Sequence, residues 1–434
     1  MMTRQQTELD DRQPLAGSRT ALTLLFLAFM LSVTDRMILS ILFPDIKAEF
    51  GLSDTQLGLL GGITFALFYA ILGLPIARMS DRRSRKQIIF ASLVVFSIMT
   101  ALSGMAGGFV MLLLFRAGVG IGEAGVSPAS HSLLADYFPP KKRAFALSTL
   151  VFGGNIGLLV GFIGGGVIAQ SYGWRTALLA VGMPGLLLAV VFWLLFKEPP
   201  RGHFEEKSAE PAPPILETVK SIWARPAMRH IFIGSVLMGI NGYGLTQWIP
   251  TYFIRVHELS QSQAGMLMAG LFGILGGAGS LVAGKWFDKL AERGFQYSLR
   301  LIAIAPLIGW PFIVMAFLST DLTTTILLFL IPGFVYNFYL GPSVALIQTL
   351  SPVKSRAVTA AIKMLLFNLI GYGLGPLLVG GLSDALAPAY GERSIGIALA
   401  CVSLFTLWAA LHFWLCGAAM ANGKRGATQA SATA

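Results

Sequence analysis

Twelve long apolar runs alternate with short polar segments along the chain. Each run is long enough to cross about 30 Å of hydrocarbon as an α-helix, which takes about 18 residues or more. The runs occupy approximately residues 20–43, 56–77, 87–106, 109–134, 144–169, 176–196, 230–254, 263–284, 299–318, 323–349, 357–381 and 394–416. This pattern predicts an all-α membrane protein with twelve transmembrane helices.

The composition agrees with a membrane protein. Of the 434 residues, 55% are apolar and only 12% are charged, whereas soluble domains carry about 25% charged residues. A net charge of +11 would suggest a nucleic acid partner in a soluble protein, but the placement of the bases gives it another meaning here. We therefore expect the lipid bilayer as a partner and no nucleic acid.

The basic residues are distributed asymmetrically between the predicted loops. With the N-terminus inside, 25 of the 32 Lys and Arg residues fall in cytoplasmic segments, and four fall in outer loops. Cytoplasmic loops of membrane proteins carry such an excess of positive charge. The asymmetry predicts that both termini lie in the cytoplasm.

The two halves of the chain repeat one another. Asp81 after the second run matches Asp288 after the eighth at an offset of 207, and Arg143 matches Arg356 at an offset of 213. Six-plus-six repeats of this kind build one class of transporter. We therefore expect two pseudo-symmetric six-helix bundles, and the predicted segments are a cytoplasmic tail (1–19), the first bundle (20–196), a cytoplasmic linker with an interfacial helix (197–229), the second bundle (230–416) and a cytoplasmic tail (417–434).

Four charged side chains lie deep within apolar runs. Asp35 and Arg36 are in the first run, and Arg116 and Glu123 are in the fourth, on one helical face about 10 Å apart. Charges inside a bilayer are costly, so they face a bundle interior or a wet cavity. We predict a transport route in which Asp35 and Glu123 couple protons, while Arg36 and Arg116 bind an anionic substrate. The alternative is a charge cluster that only fixes helix packing.

Aromatic and polar positions are further candidates for the lining of this route. Phe65 and Tyr69 on the second run suit an apolar part of a substrate. The polar candidates for substrate binding are Asn155, Asn241, Tyr336, Asn337 and Asn368. For each of them, simple helix packing is the alternative. Snorkelling to the cytoplasmic interface explains Lys363 as well as a binding role does.

The sequence offers no motif that is typical of an enzyme. It contains no HExxH, no GxSxG and no Cys/His spacing of a metal site. The stretch from Gly120 to Gly125 spells a dinucleotide-binding GxGxxG, but it follows no predicted strand. We therefore expect no enzymatic activity, no cofactor and no metal.

The loop after the second run resembles the signature loop of the major facilitator superfamily, Gly-x-x-x-Asp-Arg-x-Gly-Arg-Lys. The sequence departs from it at Ala77 and Ser84, where glycines are usual. In that family the loop latches the cytoplasmic side of the carrier. The resemblance implies a major facilitator fold and a cytoplasmic gate at Asp81, Arg82, Arg85, Lys86 and the repeat-related Asp288.

A narrower resemblance covers chiefly the N-terminal half. VTDRMILSILFPDIKAEFGLSDTQLGLL (33–60), RAGVGIGEAGVSP (116–128) and YGWR (172–175) are similar to the spinster-like branch of lysophospholipid and sphingolipid phosphate transporters and their bacterial relatives. The Asp-Arg pair in the first helix of that family falls on Asp35 and Arg36. Its fourth-helix Arg and Glu fall on Arg116 and Glu123.

This resemblance implies a proton-coupled secondary active transporter that works by alternating access in the bacterial inner membrane. The expected partners are protons and a small amphiphilic anion such as a lysolipid or sphingoid phosphate, and the expected state is a monomer. A proton symporter for sugar acids is the alternative, because those transporters share a similar Asp-Arg and Gly-Glu-Ala in these helices. A membrane receptor that does not transport is a more distant alternative.

Overall fold

A computed structural model describes residues 13–204, 214–352 and 355–432. The side chains of Leu74, Ala77, Asp81, Phe295, Gln296, Ala357 and residues 422–432 lie outside this description. The described residues form α-helices and contain no strand. The α-helices are α1 Ser18–Phe50, α2 Asp54–Gly58, α3 Thr64–Arg82, α4 Arg85–Ser103, α5 Phe109–Glu123, α6 Val126–Tyr137, α7 Pro140–Leu159, α8 Gly165–Leu195, α9 Ile215–Ala224, α10 Pro226–Val256, α11 Gln261–Met268, α12 Gly276–Arg293, α13 Phe295–Leu318, α14 Leu322–Val335, α15 Leu340–Leu350, α16 Arg356–Leu366, α17 Gly373–Tyr390, α18 Ser394–Ser403 and α19 Phe405–Ala432.

The predicted all-α membrane class is confirmed. Over the described residues, nine continuous helical segments are long and apolar enough to cross a membrane. Two of them, Pro140–Leu195 with 56 residues and Val358–Ala421 with 64, each have the length of two spans. The remaining predicted span corresponds to α10, a 31-residue helix that carries several polar side chains.

The first compact unit comprises the described parts of Met1–Leu52, Ile63–Glu210 and Ser260–Met266. Within it, α1 packs against α7 and α8, α4 packs against α5 and α8, and α3 packs against α5. These contacts place α1, α3, α4 and α5 around the four predicted intramembrane charges.

Small residues set the distance between α1 and α7. A Cβ atom on Gly157 would lie 2.2 Å from the carbonyl oxygen of Met30, so only glycine permits this approach. The same face continues at four-residue spacing, where Gly153, Gly157, Gly161 and Gly165 lie against Phe26, Met30, Thr34 and Ile38. The stripe of small residues therefore serves close helix contact, as such stripes do in membrane proteins.

The second compact unit comprises the described parts of Ser53–Gly62, Pro211–Leu259 and Leu267–Ala434. Within it, α10 packs against α17 and α19, α13 packs against α14 and α19, and α17 packs against α2 and α18. Buried apolar side chains such as Ile231, Phe232 and Phe413 form its main core. The short helix α9 ends just before Pro226, as the linker sequence predicts.

Interruptions of the helices follow the internal repeat. The fourth span breaks between α5 and α6, and the tenth breaks between α14 and α15. Pro128 and Pro342 explain both breaks, because a proline cannot donate to the carbonyl four residues earlier and clashes with it. Those carbonyls belong to Ala124 and Phe338, which lie within the two breaks.

π-helical segments also recur with the repeat. They lie at Leu59–Ile63, Val160–Gly164, Ala269–Leu275 and Phe367–Tyr372, within the second, fifth, eighth and eleventh spans. Leu59 and Ala269 are 210 residues apart, and Val160 and Phe367 are 207 apart, close to the offsets found in the sequence. Such wide turns inside α-helices are frequent at functional sites.

Candidate substrate and proton site

Arg36 on α1 and Glu123 at the end of α5 form one of two ion pairs that join these two helices. Arg36 Nη2 lies 2.5 Å from Glu123 Oε2, and its Nε donates to the same oxygen at 2.7 Å. Ser32, one turn before Arg36, also donates to Oε2 at 2.6 Å. The Glu123 side chain is fully buried, whereas the Arg36 side chain keeps 16% of its surface exposed.

Asp35 and Arg116 form the second ion pair. Arg116 Nη1 donates to Asp35 Oδ2 at 2.8 Å, and the hydroxyl of Thr100 on α4 donates to Oδ1. The side chains of both partners are at most 1% exposed. Adjacent residues point about 100° apart on a helix, so Asp35 and Arg36 engage different partners on α5.

Two aromatic rings on α3 complete the surroundings of Arg36. Its guanidinium carbon lies 4.9 Å from the ring centroid of Phe65 and 5.2 Å from that of Tyr69. The two rings stack with centroids 5.6 Å apart. Gly120 brings α5 close to this wall, because a Cβ there would lie 2.6 Å from the carbonyl oxygen of Phe65. Arg36 is thus held between a carboxylate and an aromatic face. The face of an aromatic ring attracts a cation, so the rings stabilise the guanidinium in addition to Glu123.

Six of the predicted site residues therefore come together in the first unit, namely Asp35, Arg36, Phe65, Tyr69, Arg116 and Glu123. Asn155, also in this unit, is exposed on α7. In the second unit, Asn241 and Tyr336 line the same small cavity of about 30 Å³. Asn337 is half-buried, and Asn368 donates to the carbonyl oxygen of Met364 in its own span.

The predicted gate residues divide into buried and exposed positions. Arg85 is 1% exposed, while Arg82 and Asp288 are exposed at the ends of α3 and α12. Lys86 places its ammonium 4.9 Å from the centroid of the Trp193 ring. The side chain of Asp81 lies outside the described residues.

Arg85 has two acidic partners that the sequence analysis did not identify. Its guanidinium contacts Asp136 at the end of α6, and its Nε lies 3.3 Å from Glu198 in the linker. Glu198 also accepts from the amide of Arg85 and the hydroxyl of Ser84. Partial burial raises the pKa of Glu198, but these hydrogen bonds outweigh that effect and hold the pKa below its ordinary value. The signal available in the sequence was Glu198 among the bases of the predicted linker.

A second missed network lies within the second unit. Arg255 at the end of α10 donates to both carboxylate oxygens of Asp54 at 2.7 Å. Asp384 on α17 accepts from the amides of Asp54 and Thr55 at the start of α2, at 2.9 and 2.7 Å. A carboxylate at a helix N-terminus is stabilised by the free amides there. Asp54 and Asp384 are 330 residues apart, so no local pattern could connect them.

The comparison with protein families decides the class of this chain. The model of the Major Facilitator Superfamily matches residues 25–376. The chain belongs to the Major Facilitator Superfamily. It is a transporter of this superfamily, and its helical fold of apolar spans is that of an integral membrane protein.

The relatives of this superfamily member include pumps and organic anion carriers. It is 31% identical over 417 residues to an MFS-type efflux pump of Mycolicibacterium smegmatis, covering 95% of each chain. It is 30% identical over 392 residues to the cis,cis-muconate transport protein of Acinetobacter baylyi, covering 86% of this chain and 87% of that one.

A solved structure confirms the spinster-like resemblance. The crystal structure of a bacterial homolog of the human lysosomal transporter Spinster, in an inward-facing and unoccupied conformation, matches with a TM-score of 0.82. The identity is 29%, and the match covers 93% of this chain and 97% of that one. The resemblance predicted from 33–60, 116–128 and 172–175 thus has a counterpart among the solved structures.

Proposed function

We propose that this superfamily member is a proton-coupled secondary active transporter that moves an amphiphilic organic anion by alternating access. The observation that carries the proposal is the placement of Arg36. Its guanidinium is shared between the buried Glu123 and the aromatic wall of Phe65 and Tyr69, and it keeps 16% of its surface exposed. An anion can therefore reach Arg36 and compete with Glu123 for it.

Competition for Arg36 links the anion to a proton. A buried carboxylate that loses its basic partner is strongly destabilised, and protonation removes the charge. Glu123 therefore takes up a proton when Arg36 turns to the anion, and it releases the proton when Arg36 returns. Asp35, the second acid of the predicted coupling, supports this exchange by keeping Arg116 fixed beside it.

The proposed substrate carries an anionic head and an apolar body, as a lysolipid or sphingoid phosphate does. A planar guanidinium suits phosphate or carboxylate oxygens. The stacked rings of Phe65 and Tyr69 next to it suit an apolar chain. The resemblance of 33–60 and 116–128 to spinster-like lysolipid and sphingolipid phosphate transporters supports this class of substrate.

A hydrophilic organic acid, such as a sugar acid or a small dicarboxylate, is the second candidate. The likeness to a cis,cis-muconate transport protein favours it, and Arg36 would serve a carboxylate equally well. An acyl chain distinguishes the two candidates, because only the amphiphile gains affinity from added methylene groups.

We further propose the cellular arrangement that the basic loops indicate. Both termini lie in the cytoplasm, the protein resides in a bacterial inner membrane as a monomer, and residues 20–196 and 230–416 are the alternating bundles. The loop with Asp81, Arg82, Arg85 and Lys86, together with Asp288, gates the cytoplasmic side. The contacts of buried Arg85 with Asp136 and Glu198 support that role.

Uptake into proteoliposomes tests the function. We expect labelled lysophosphatidate to accumulate only when a proton gradient is imposed. Affinity should rise with acyl length by up to about 0.8 kcal/mol per buried methylene group. If affinity did not depend on chain length and a hydrophilic sugar acid bound tightly, the second candidate would be the substrate.

A matched pair of variants tests the coupling acid. Glu123→Gln should abolish gradient-driven accumulation and retain exchange of the anion across the membrane at equal pH. Glu217→Gln, at an exposed position of α9, removes one carboxylate elsewhere and should behave as the wild type. Gradient-driven uptake at the wild-type level in Glu123→Gln would exclude Glu123 as the coupling site.

A further inference from the structure

Lys363 is a buried base that the proposed exchange does not use. It lies in α16, and only 8% of its surface is exposed. The ammonium lies beside an aromatic ring of its own span. The ammonium nitrogen lies 5.3 Å from the ring centroid of Phe367, one helical turn later.

The other deeply buried bases of the described chain are paired with acids. Arg85 contacts Asp136 and Glu198, and Arg116 contacts Asp35. Burial of a charge without such a partner is costly, and a cation–π contact offsets only part of that cost. Lys363 has no carboxylate partner among the described residues, so its position is costly unless an anion occupies it.

A second aromatic wall, formed by Phe367, Tyr243 and Tyr372, extends from Lys363 within the second unit. Phe367 packs edge-on against Tyr243 with ring centroids 5.6 Å apart, and Tyr243 packs edge-on against Tyr372 at 4.6 Å. The hydroxyl of Tyr372 accepts from Gln247 at 3.1 Å, which holds the last ring in place. The ammonium thus sits at one end of a continuous apolar face.

The local backbone brings this wall close to α10. Phe367 opens the π-helical segment Phe367–Tyr372, and wide turns of this kind are frequent at functional sites. A Cβ on Gly239 would lie 3.0 Å from the Phe367 ring, so α10 passes close to this ring. The irregular backbone therefore places the ring between the ammonium and α10.

We propose that Lys363, Phe367 and Tyr243 form an anion-binding subsite in the second unit. The ammonium binds the phosphate or carboxylate of an organic anion, and the two rings contact the apolar part next to it. The subsite rests on the proposed transport of an amphiphilic anion and adds a recognition element to it. A point charge serves phosphate and carboxylate alike, so the experiment compares both.

Ligand-induced thermal stabilisation of the purified full-length protein tests the subsite without any proton gradient. The probes are lysophosphatidate, benzoate and inorganic phosphate, titrated against wild type, Lys363→Met and the exposed-lysine control Lys289→Met. Lys363→Met should weaken binding of the preferred organic anion by about 10-fold to 100-fold, the loss expected for one charge-assisted hydrogen bond. Lys289→Met should bind as the wild type does.

The stability without anion separates a binding role from a structural one. If Lys363 serves an anion, Lys363→Met unfolds at the same temperature as the wild type or higher, because a costly charge has been removed. A lower unfolding temperature without anion, or unchanged binding of all three probes, would overturn the subsite. If inorganic phosphate bound as tightly as lysophosphatidate, the aromatic rings would not contribute to binding and would not belong to the subsite.

A second variant decides the question if Lys363→Met does not fold. Phe367→Leu keeps an apolar side chain and removes the ring, so it should weaken the organic anion about 2-fold to 5-fold and leave inorganic phosphate unaffected. Equal binding of the organic anion by Phe367→Leu and wild type would contradict the subsite. Failure of proton coupling would instead appear as gradient-independent uptake by the wild type, with the binding results unchanged.

Discussion

Two buried ion pairs of the first unit join the same two helices, α1 and α5, and differ in what surrounds them. Asp35 and Arg116 are both enclosed, with side chains at most 1% exposed. In the other pair, Glu123 is enclosed, but Arg36 remains partly exposed against aromatic rings. The difference separates a pair that fixes two helices from a pair whose base can exchange partners.

The carboxylate of Asp35 is fully engaged. Oδ1 accepts from Thr100, and Oδ2 accepts from Arg116. Loss of Arg116 would leave a buried charge between apolar helices. Asp35 is therefore suited to joining α1 to α5 through Arg116.

The carboxylate of Glu123 is engaged on one side. Ser32 and Arg36 both donate to Oε2. Oε1 is buried and has no hydrogen-bond partner among the described residues. A proton can bind Oε1 without displacing any of these donors, which suits an acid that changes its charge during transport.

The largest expected effect follows from removal of the enclosed base. Arg116→Gln should lower stability by about 3–5 kcal/mol, because it leaves Asp35 buried without its partner. The measurement is the thermal unfolding midpoint in detergent. Arg36→Gln is the matched control, and it should lower the midpoint much less, since Glu123 can accept a proton.

A double variant sharpens this first result. Asp35→Asn combined with Arg116→Gln removes both charges and should recover part of the stability lost by Arg116→Gln alone. Equal unfolding midpoints for Arg116→Gln and Arg36→Gln would show that the two pairs do not differ in the way their exposure indicates.

The second prediction concerns transport through the exchangeable pair. Arg36→Lys keeps the charge but loses the planar fork, so it should reduce anion uptake at least about 10-fold. Uptake of labelled anion into proteoliposomes, normalised to folded protein, measures the effect. Uptake by Arg36→Lys at the wild-type rate would assign anion recognition to another group.

The third prediction compares the hydroxyl donors of the two pairs. Ser32→Ala and Thr100→Val each remove one hydrogen bond, worth about 1 kcal/mol. Ser32→Ala leaves Arg36 donating to the same oxygen of Glu123, so it should lower the unfolding midpoint less than Thr100→Val does and should slow gradient-driven uptake. Thr100→Val should lower the midpoint more and leave uptake per folded protein unchanged. If Ser32→Ala lowered the unfolding midpoint and Thr100→Val slowed uptake instead, the roles of the two ion pairs would be exchanged.

Much of this site could be predicted because charge and depth are local properties of a sequence. The positions of Asp35 and Arg116 within their runs place them at similar depths, and the structure joins them. The helical period likewise separates Asp35 from Arg36 and allows each a different partner. The twelve spans followed from run length alone.

The rest could not be predicted, because neighbours across the fold leave no local pattern. Asp54 and Arg255 are 201 residues apart, and their contact depends on how α2 and α10 pack. The break after Glu123, in contrast, has a local signal, because Pro128 predicts a kink and acts on a carbonyl four residues earlier in the chain. The helical period and the position within an apolar run predict which face of a helix a residue lies on and how deep it lies in the membrane. The residue's partner depends on how the helices pack.

The smallest expected effect concerns the network around Arg85, where one base has two acids. Because its hydrogen bonds hold the pKa of Glu198 below its ordinary value, ionised Glu198 stabilises the folded state above its unfolded-state pKa. That contribution is lost as the pH falls through the lower folded-state pKa. Glu198→Gln should therefore lower the unfolding midpoint slightly at pH 7, since Asp136 still pairs with Arg85. The difference from wild type should vanish in acid.

Glu217→Gln, the exposed control on α9, should show no such pH-dependent difference. If the lower unfolding midpoint of Glu198→Gln persisted below the folded-state pKa, Glu198 would have a packing role instead of an electrostatic one.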